Sequence, residues 1–199
     1  MIITENIYWF DFSILNFIQE HLRCDFLDWL CRTFGYMGTA GLVWIVLSIV
    51  LLFFKKTRAA GVMALVSMGL VYLLGDCVIK PIVQRPRPFL TDSELNMFRD
   101  TPLFAPMPSG YSFPSGHSAV AATFATTLLL KNRVIGLIAL APVLFMIFSR
   151  LYNYVHFPTD VLCGALLGIA VAFLVYFVFR KTKLDKKLSP DRLSRKRDA

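Results

Sequence analysis

The chain alternates long uncharged stretches with short, densely polar ones, and the length of each stretch decides the element it forms. Residues 38–54 carry no charge and residues 59–79 carry one, Asp76. At about 1.5 Å per helical residue, both runs approach the roughly 30 Å thickness of a bilayer core. Residues 115–130 and 134–148 are two shorter apolar runs parted by the basic turn Lys131-Asn132-Arg133, and residues 161–179 are apolar throughout. The pattern predicts an all-α, integral membrane bundle of about five transmembrane helices.

The first 35 residues are patterned differently. Ile14, Leu15, Ile18 and Leu22 recur at helical spacing, while Asn16, Gln19, Glu20 and Arg23 occupy another face. Asp25, Asp28 and Arg32 likewise alternate with Phe26, Leu27, Trp29 and Leu30. These stretches are expected to be amphipathic helices at the headgroup level, with a tilted sixth span as the alternative. His21 lies among them, far in sequence from the polar clusters described below, and reads as structural. Residues 1–180 therefore read as one membrane-embedded domain, with 1–35 interfacial, followed by a basic tail over 181–199.

Composition agrees with the membrane reading: 56% of residues are hydrophobic and 17% charged, with a mean hydropathy of +0.60. An ordinary soluble domain is excluded. The formal net charge of +8 is concentrated at one end, where residues 180–199 hold nine Lys or Arg against three Asp. A solvated, positive-inside tail accounts for that, and no nucleic-acid partner is expected. The turn Lys55-Lys56-Thr57-Arg58, the turn at 131–133 and the tail fall on one side of a five-span chain, which puts that side in the cytoplasm. The loops 80–114 and 149–160 then face the extracytoplasmic side. Glu5 and Asp11, with no basic residue before Arg23, do not make the positive start of a signal peptide, so the segment is expected to be retained. Cys24, Cys31, Cys77 and Cys163 show no C-x-x-C spacing and read as packing residues rather than a zinc site or a disulfide framework. Gly164 and Gly168 form a G-x-x-x-G pair that fits either close helix packing or the seam of a homodimer.

The outward loops contain Arg85, Arg87, Arg99 and Arg150, against the positive-inside tendency. A Lys or Arg costs about 2.5–3.5 kcal/mol at the centre of a span, so Lys80, Arg87 and Arg150 at helix ends call for a compensating anion, with snorkelling as the alternative. Two planar guanidinium forks and one compact ammonium suit a tetrahedral phosphate. Asp76, one turn before Lys80, is placed to orient it. Ser115 is a good N-cap, so Gly116 and His117 open a helix whose amides and positive end make an anion seat. His117 is positioned to protonate a leaving oxygen. His156 precedes Asp160 by four residues, so the carboxylate can hold one imidazole nitrogen and leave the other to attack phosphorus. Pro108-Ser109-Gly110 resembles the Pro114-Ser115-Gly116 segment but is followed by Tyr111 and reads as a turn. The loop 89–113, which mixes Asp92, Glu94 and Asp100 with Phe98, Leu103, Phe104, Met107 and Tyr111, reads as a substrate lid. Too few paired carboxylates are present for a two-metal phosphatase, so no metal and no cofactor are expected.

Lys80-x6-Arg87-Pro88, Pro114-Ser115-Gly116-His117 and Ser149-Arg150-x5-His156-x3-Asp160 together resemble the three signature motifs of the type 2 phosphatidic acid phosphatase superfamily, and every specified position matches. The resemblance covers residues 80–160 and the helical pattern around them. It implies His156 as nucleophile, Asp160 as its partner, His117 as acid, and Lys80, Arg87, Ser115, Gly116 and Arg150 as the phosphate cradle. It further implies a lipid phosphate as substrate, on undecaprenyl pyrophosphate or a phosphatidate or phosphatidylglycerophosphate lipid, hydrolysed through a phosphohistidine at a bacterial plasma (inner) membrane. The same residues fit a lipid phosphotransferase or, less well, a non-catalytic lipid-phosphate binder or transporter. The family also holds soluble vanadium haloperoxidases, which the apolar spans disfavour.

Overall fold

The computed structural model describes residues 2–37, 41–91 and 108–189, and all regular structure among them is helical. Most of the loop expected to act as a lid, including Arg99, and residues 190–199 of the tail lie outside the described residues. The helices are α1 (Ile2–His21), α2 (Asp25–Met37), α3 (Leu42–Leu52), α4 (Arg58–Tyr72), α5 (Lys80–Val83), α6 (Pro88–Thr91), α7 (Gly116–Lys131), α8 (Arg133–Tyr152), α9 (Pro158–Lys181) and α10 (Leu184–Leu188). A π-helical stretch, Leu73–Ile79, joins α4 to α5. Among the described residues, three units are long and apolar enough to cross a bilayer: Arg58–Thr91, Arg133–Tyr152 and Pro158–Lys181. The chain is thus an integral membrane protein. The run expected as one span over 38–54 is helical as the eleven-residue α3, which at 1.5 Å per residue covers only about half a bilayer core.

Helix α7 is the axis of the bundle. Between Ser118 and Leu128 only Val120 is not fully buried, and the alanines at 119, 121, 122 and 125 let α4, α8 and α9 approach it closely. Gly164 and Gly168 use their small face in the same way, because a Cβ at either would collide with the carbonyl oxygen of Ser115 or Ala119 on α7. That accounts for the G-x-x-x-G pair within a single chain. Basic turns cap the far ends: Asn132 accepts a bond from the Ile135 amide at 3.1 Å and so starts α8 immediately after α7 ends.

The N-terminal helices each bury one face and expose the other. α1 buries Leu15 and Ile18 together with Asp11 and Gln19, while Trp9, Phe10 and Phe17 are exposed. It therefore turns its most polar buried group toward the protein and its aromatic rings outward, as suits a helix between lipid and a polar site. α2 runs antiparallel along the last two turns of α8. Tyr152 Oη donates to Asp28 at 2.5 Å, Asn153 Nδ2 donates to the Cys31 carbonyl at 3.0 Å, and the rings of Phe34 and Phe145 lie edge to face at 4.7 Å. His21 bonds the Phe17 carbonyl and stacks on the Phe17 ring, away from the three polar segments. Of the cysteines, Cys31 is buried and Cys24 and Cys77 are exposed, so packing accounts for only some of them.

Candidate active site

The three polar segments meet at one end of the bundle, where α7 and α9 begin and where α5 and α8 end. The Ser115 amide donates to the Asp160 carbonyl at 3.0 Å, which ties the starts of α7 and α9 together. The Ser112 amide donates to the Arg85 carbonyl at 2.8 Å, and Arg87 Nη1 donates to the Val155 carbonyl at 2.9 Å, which draws in the remaining strands of chain.

Local sequence explains how each cation is aimed. Pro81 cannot donate to the carbonyl of Cys77 and its ring would crowd that group in a regular α-helix, and the π-helical stretch just before it relieves the conflict. Asp76 lies in that stretch and accepts from Lys80 Nζ at 2.5 Å. Gln84 closes α5 in the left-handed region (φ 50°), where its amide bonds the Lys80 carbonyl, and the chain then extends through Arg85-Pro86-Arg87. The two arginines serve different sets of acceptors. Arg87 Nε donates to the Gly110 carbonyl at 3.0 Å, and its Nη1 also lies 3.3 Å from His156 Nε2. Pro108-Ser109-Gly110, expected as a turn, thus supplies backbone carbonyls that hold the Arg87 fork, with Gly110 at φ 78°.

On the opposite side, Arg85 Nη1 donates to Asp160 Oδ1 at 2.6 Å and to Thr159 Oγ1 at 2.7 Å, and Nη2 donates to Asp11 Oδ2 at 2.5 Å. Its guanidinium also lies 4.0 Å from the centre of the Phe157 ring. Asp160 is completely buried. Its Oδ2 accepts from the Phe157 amide at 2.9 Å and from Ser112 Oγ, the former being the reach-back half of a capping box on α9.

His156 is 3% exposed, in the turn between α8 and α9. Its Nδ1 lies 3.7 Å from Asp160 Oδ2, beyond hydrogen-bond distance, and has no other partner among the described residues. Burial pushes His156 down to about 4, reinforced by Arg87 and Arg150 and opposed by Asp160. The ring is therefore neutral near pH 7, with Nε2 turned to the cationic side. His117 stands in the first turn of α7, with a buried Nε2 that has no hydrogen-bond partner among the described residues, and the charges of Arg150, Lys80 and Arg87 bear on it. Ser115 caps that helix, accepting from the Ser118 amide at 3.4 Å. A Cβ at Gly116 would sit 3.2 Å from Asp76 Oδ2 and 3.8 Å from Lys80 Nζ, so glycine leaves the helix start open beside the lysine. Arg150 is 3% exposed and bonds Ser149 Oγ through Nε and Nη2. All nine residues singled out from the sequence, Asp76 included, thus border one cluster. Asp11, Ser112 and Thr159 were not anticipated, and Arg85 was noted only as an unexplained outward arginine. The signal for Asp11 was its place in Tyr8-Trp9-Phe10-Asp11-Phe12, a carboxylate among rings. Among the described residues, no group of three or more His, Cys, Asp or Glu is arranged to hold a metal ion.

The chain is 37% identical over 133 residues to an undecaprenyl-diphosphatase of Sulfolobus acidocaldarius, a match covering 66% of this chain and 61% of that protein, so it spans less than two thirds of the relative's length. The crystal structure of Aquifex aeolicus LpxE superposes with a TM-score of 0.65 at 30% identity, over 84% of this chain and 94% of that one. A PAP2-type phosphatidylglycerolphosphate phosphatase from Bacillus subtilis superposes with a TM-score of 0.61 at 26% identity, over 88% and 95%. A family model described as PAP2 superfamily matches residues 60–183, more than half of the chain and all three clustered segments. On its sequence, its fold and the convergence of these segments, the chain belongs to the PAP2 superfamily.

Proposed function

We propose that the protein hydrolyses a phosphate monoester or pyrophosphate on a membrane lipid, without a metal, through a phosphohistidine formed on His156. The observation that carries this reading is a neutral imidazole with Nε2 facing Arg87, beside a buried carboxylate and within reach of the charges of Arg150 and Lys80. In the first step a bond forms between His156 Nε2 and phosphorus while the bond from phosphorus to the lipid oxygen breaks. His117, protonated in the substrate complex, gives its proton to that oxygen. In the second step water attacks phosphorus, His117 takes its proton, and the N–P bond breaks to release phosphate. Lys80, Arg87, Arg150 and the α7 start at Ser115 and Gly116 hold the charge of the transferring group. Asp160 stabilises the positive charge that His156 acquires, and Asp76 orients Lys80.

A relative named as an undecaprenyl-diphosphatase and a structural neighbour named as a phosphatidylglycerolphosphate phosphatase support the lipid class, with undecaprenyl pyrophosphate, phosphatidate and phosphatidylglycerophosphate as the substrates to test. The basic turns at 55–58 and 131–133 lie at the helix ends remote from the site, which supports an extracytoplasmic site and a cytoplasmic C-terminus within our reading of a five-span chain in a bacterial plasma membrane. Phosphate release from these lipids by purified protein tests the reading. Turnover should vanish in His156→Ala, and wild-type enzyme quenched during turnover of 32P-labelled lipid should carry acid-labile label. Turnover by His156→Ala would overturn the phosphohistidine.

A further inference from the structure

We propose that Asp11 and Arg85 are positioning residues for the phosphohistidine chemistry: the N-terminal helix, through one shared guanidinium, sets the position and net charge of the Asp160 carboxylate that faces His156 at 3.7 Å. The inference rests on the phosphatase reading above and extends it to a segment outside the family match, which starts at residue 60.

Asp11 is completely buried although it sits in a helix whose neighbouring rings at Trp9 and Phe10 are exposed. A buried carboxylate is tolerated only when its oxygens are satisfied, and each of those of Asp11 is. Oδ1 accepts from the Thr159 amide at 3.0 Å, and Oδ2 accepts from Thr159 Oγ1 at 2.7 Å and from Arg85 Nη2 at 2.5 Å. The first of these contacts satisfies an amide in the opening turn of α9, whose own N-cap residue, Phe157, has no side-chain acceptor. Asp11 thereby serves from another helix as the cap that fixes the turn carrying Asp160.

The second contact governs charge. Arg85 stands between two carboxylates, with one nitrogen on each. With Asp11 present, the three groups together leave one negative charge near His156. Without it, Arg85 would neutralise Asp160 alone, and the carboxylate would lose most of its ability to stabilise a ring that becomes positive on attack. Arg85 is also clamped over the Phe157 ring, next to His156 in the chain, so its place and that of the nucleophile are set together. The charged and titratable groups around His156 are Asp160 on α9, Arg87 before α6, Arg150 on α8 and His117 on α7. Asp11 and Arg85 act on it from behind Asp160.

The test compares Asp11→Asn, Asp11→Glu, Arg85→Gln and His156→Ala with the wild type, purified and assayed for phosphate release from vesicle-borne lipid phosphate. Asp11→Asn should lower kcat roughly tenfold to hundredfold, the range for losing a partner that orients a reacting group. KM and inhibition by inorganic phosphate should stay unchanged, because Lys80, Arg87 and Arg150 are untouched. Asp11→Glu should recover most of kcat. The acid limb of kcat/KM should move down in Asp11→Asn and up in Arg85→Gln, since the first removes a negative charge and the second a positive one. A purely structural role would shift neither limb, or both the same way. Wild-type kcat in Asp11→Asn, an equal loss in Asp11→Glu, or limbs moving together would overturn the proposal. Should Asp11→Asn not accumulate in the membrane, Arg85→Gln decides alone, and an unmoved acid limb overturns it. If His156→Ala retains turnover, the phosphohistidine reading itself has failed; if only the Asp11 and Arg85 results are negative, that reading stands and this inference does not.

Discussion

Arg87 Nη1 stands 3.3 Å from His156 Nε2, so the arginine faces the nitrogen proposed above as the nucleophile. On the proposed mechanism, a phosphate between them accepts a hydrogen bond from the guanidinium N–H that now faces the ring, and the Nε2 lone pair is directed at phosphorus. The contact works only because the rest of the fork is anchored, on the carbonyls of Gly110 and Val155. A lysine reaches one acceptor at a time and has no fork to anchor. Arg87→Lys should therefore lower kcat/KM by about 10²–10³-fold, as when one oriented charge-stabilising donor is lost. Steady-state phosphate release measures it, and a loss of less than about threefold would show that the anchored fork is dispensable.

The depressed ionisation of His156 fixes the sign of its pH dependence. Below about 4 the ring is protonated and cannot attack, and above that it is neutral and competent. The acid limb of kcat/KM, corrected for ionisation of the substrate phosphate followed by 31P NMR, should lie nearer 4 than the ordinary histidine value of about 6.5. A corrected limb at or above 6.5 would contradict the burial argument.

Helix packing under the site makes a second kind of prediction. A methyl group added at Gly168 collides with the Ala119 carbonyl and lies 2.9 Å from Thr123 Oγ1, with rigid helix on both sides. Gly168→Ala should cost about 1–3 kcal/mol or more by overpacking, read as a lower thermal midpoint in detergent. Gly69 is the control, since a Cβ there meets nothing within 4 Å. Gly69→Ala should leave stability unchanged or raise it by about 0.5–1 kcal/mol through helix propensity.

On the proposed mechanism Lys80, Arg87 and Arg150 supply the charge that magnesium provides in other phosphoryl-transfer sites, and the Asp76 carboxylate is occupied by Lys80. Phosphate release should persist in excess chelator. Activity abolished by chelator and restored by a divalent cation would show that the cradle is incomplete as described.

Much of this protein was legible in short stretches of its sequence, because the relevant physics is local. Lengths of apolar residues set the helices, and cations placed at their ends announce an anion. Ser115 followed by Gly116 and His117 opens a helix, and the spacing from His156 to Asp160 is one turn. None of these features needs a partner distant in the chain. What only the tertiary structure decided depends on separations the chain cannot display: Asp11 reaching Arg85 and Thr159, Ser112 reaching Asp160, and two glycines of α9 lying on α7. A carboxylate among aromatic rings reads as one face of an amphipathic helix until the fold brings a buried arginine to it, since the cost of burying a charge is cancelled only by a partner that sequence neighbours do not supply.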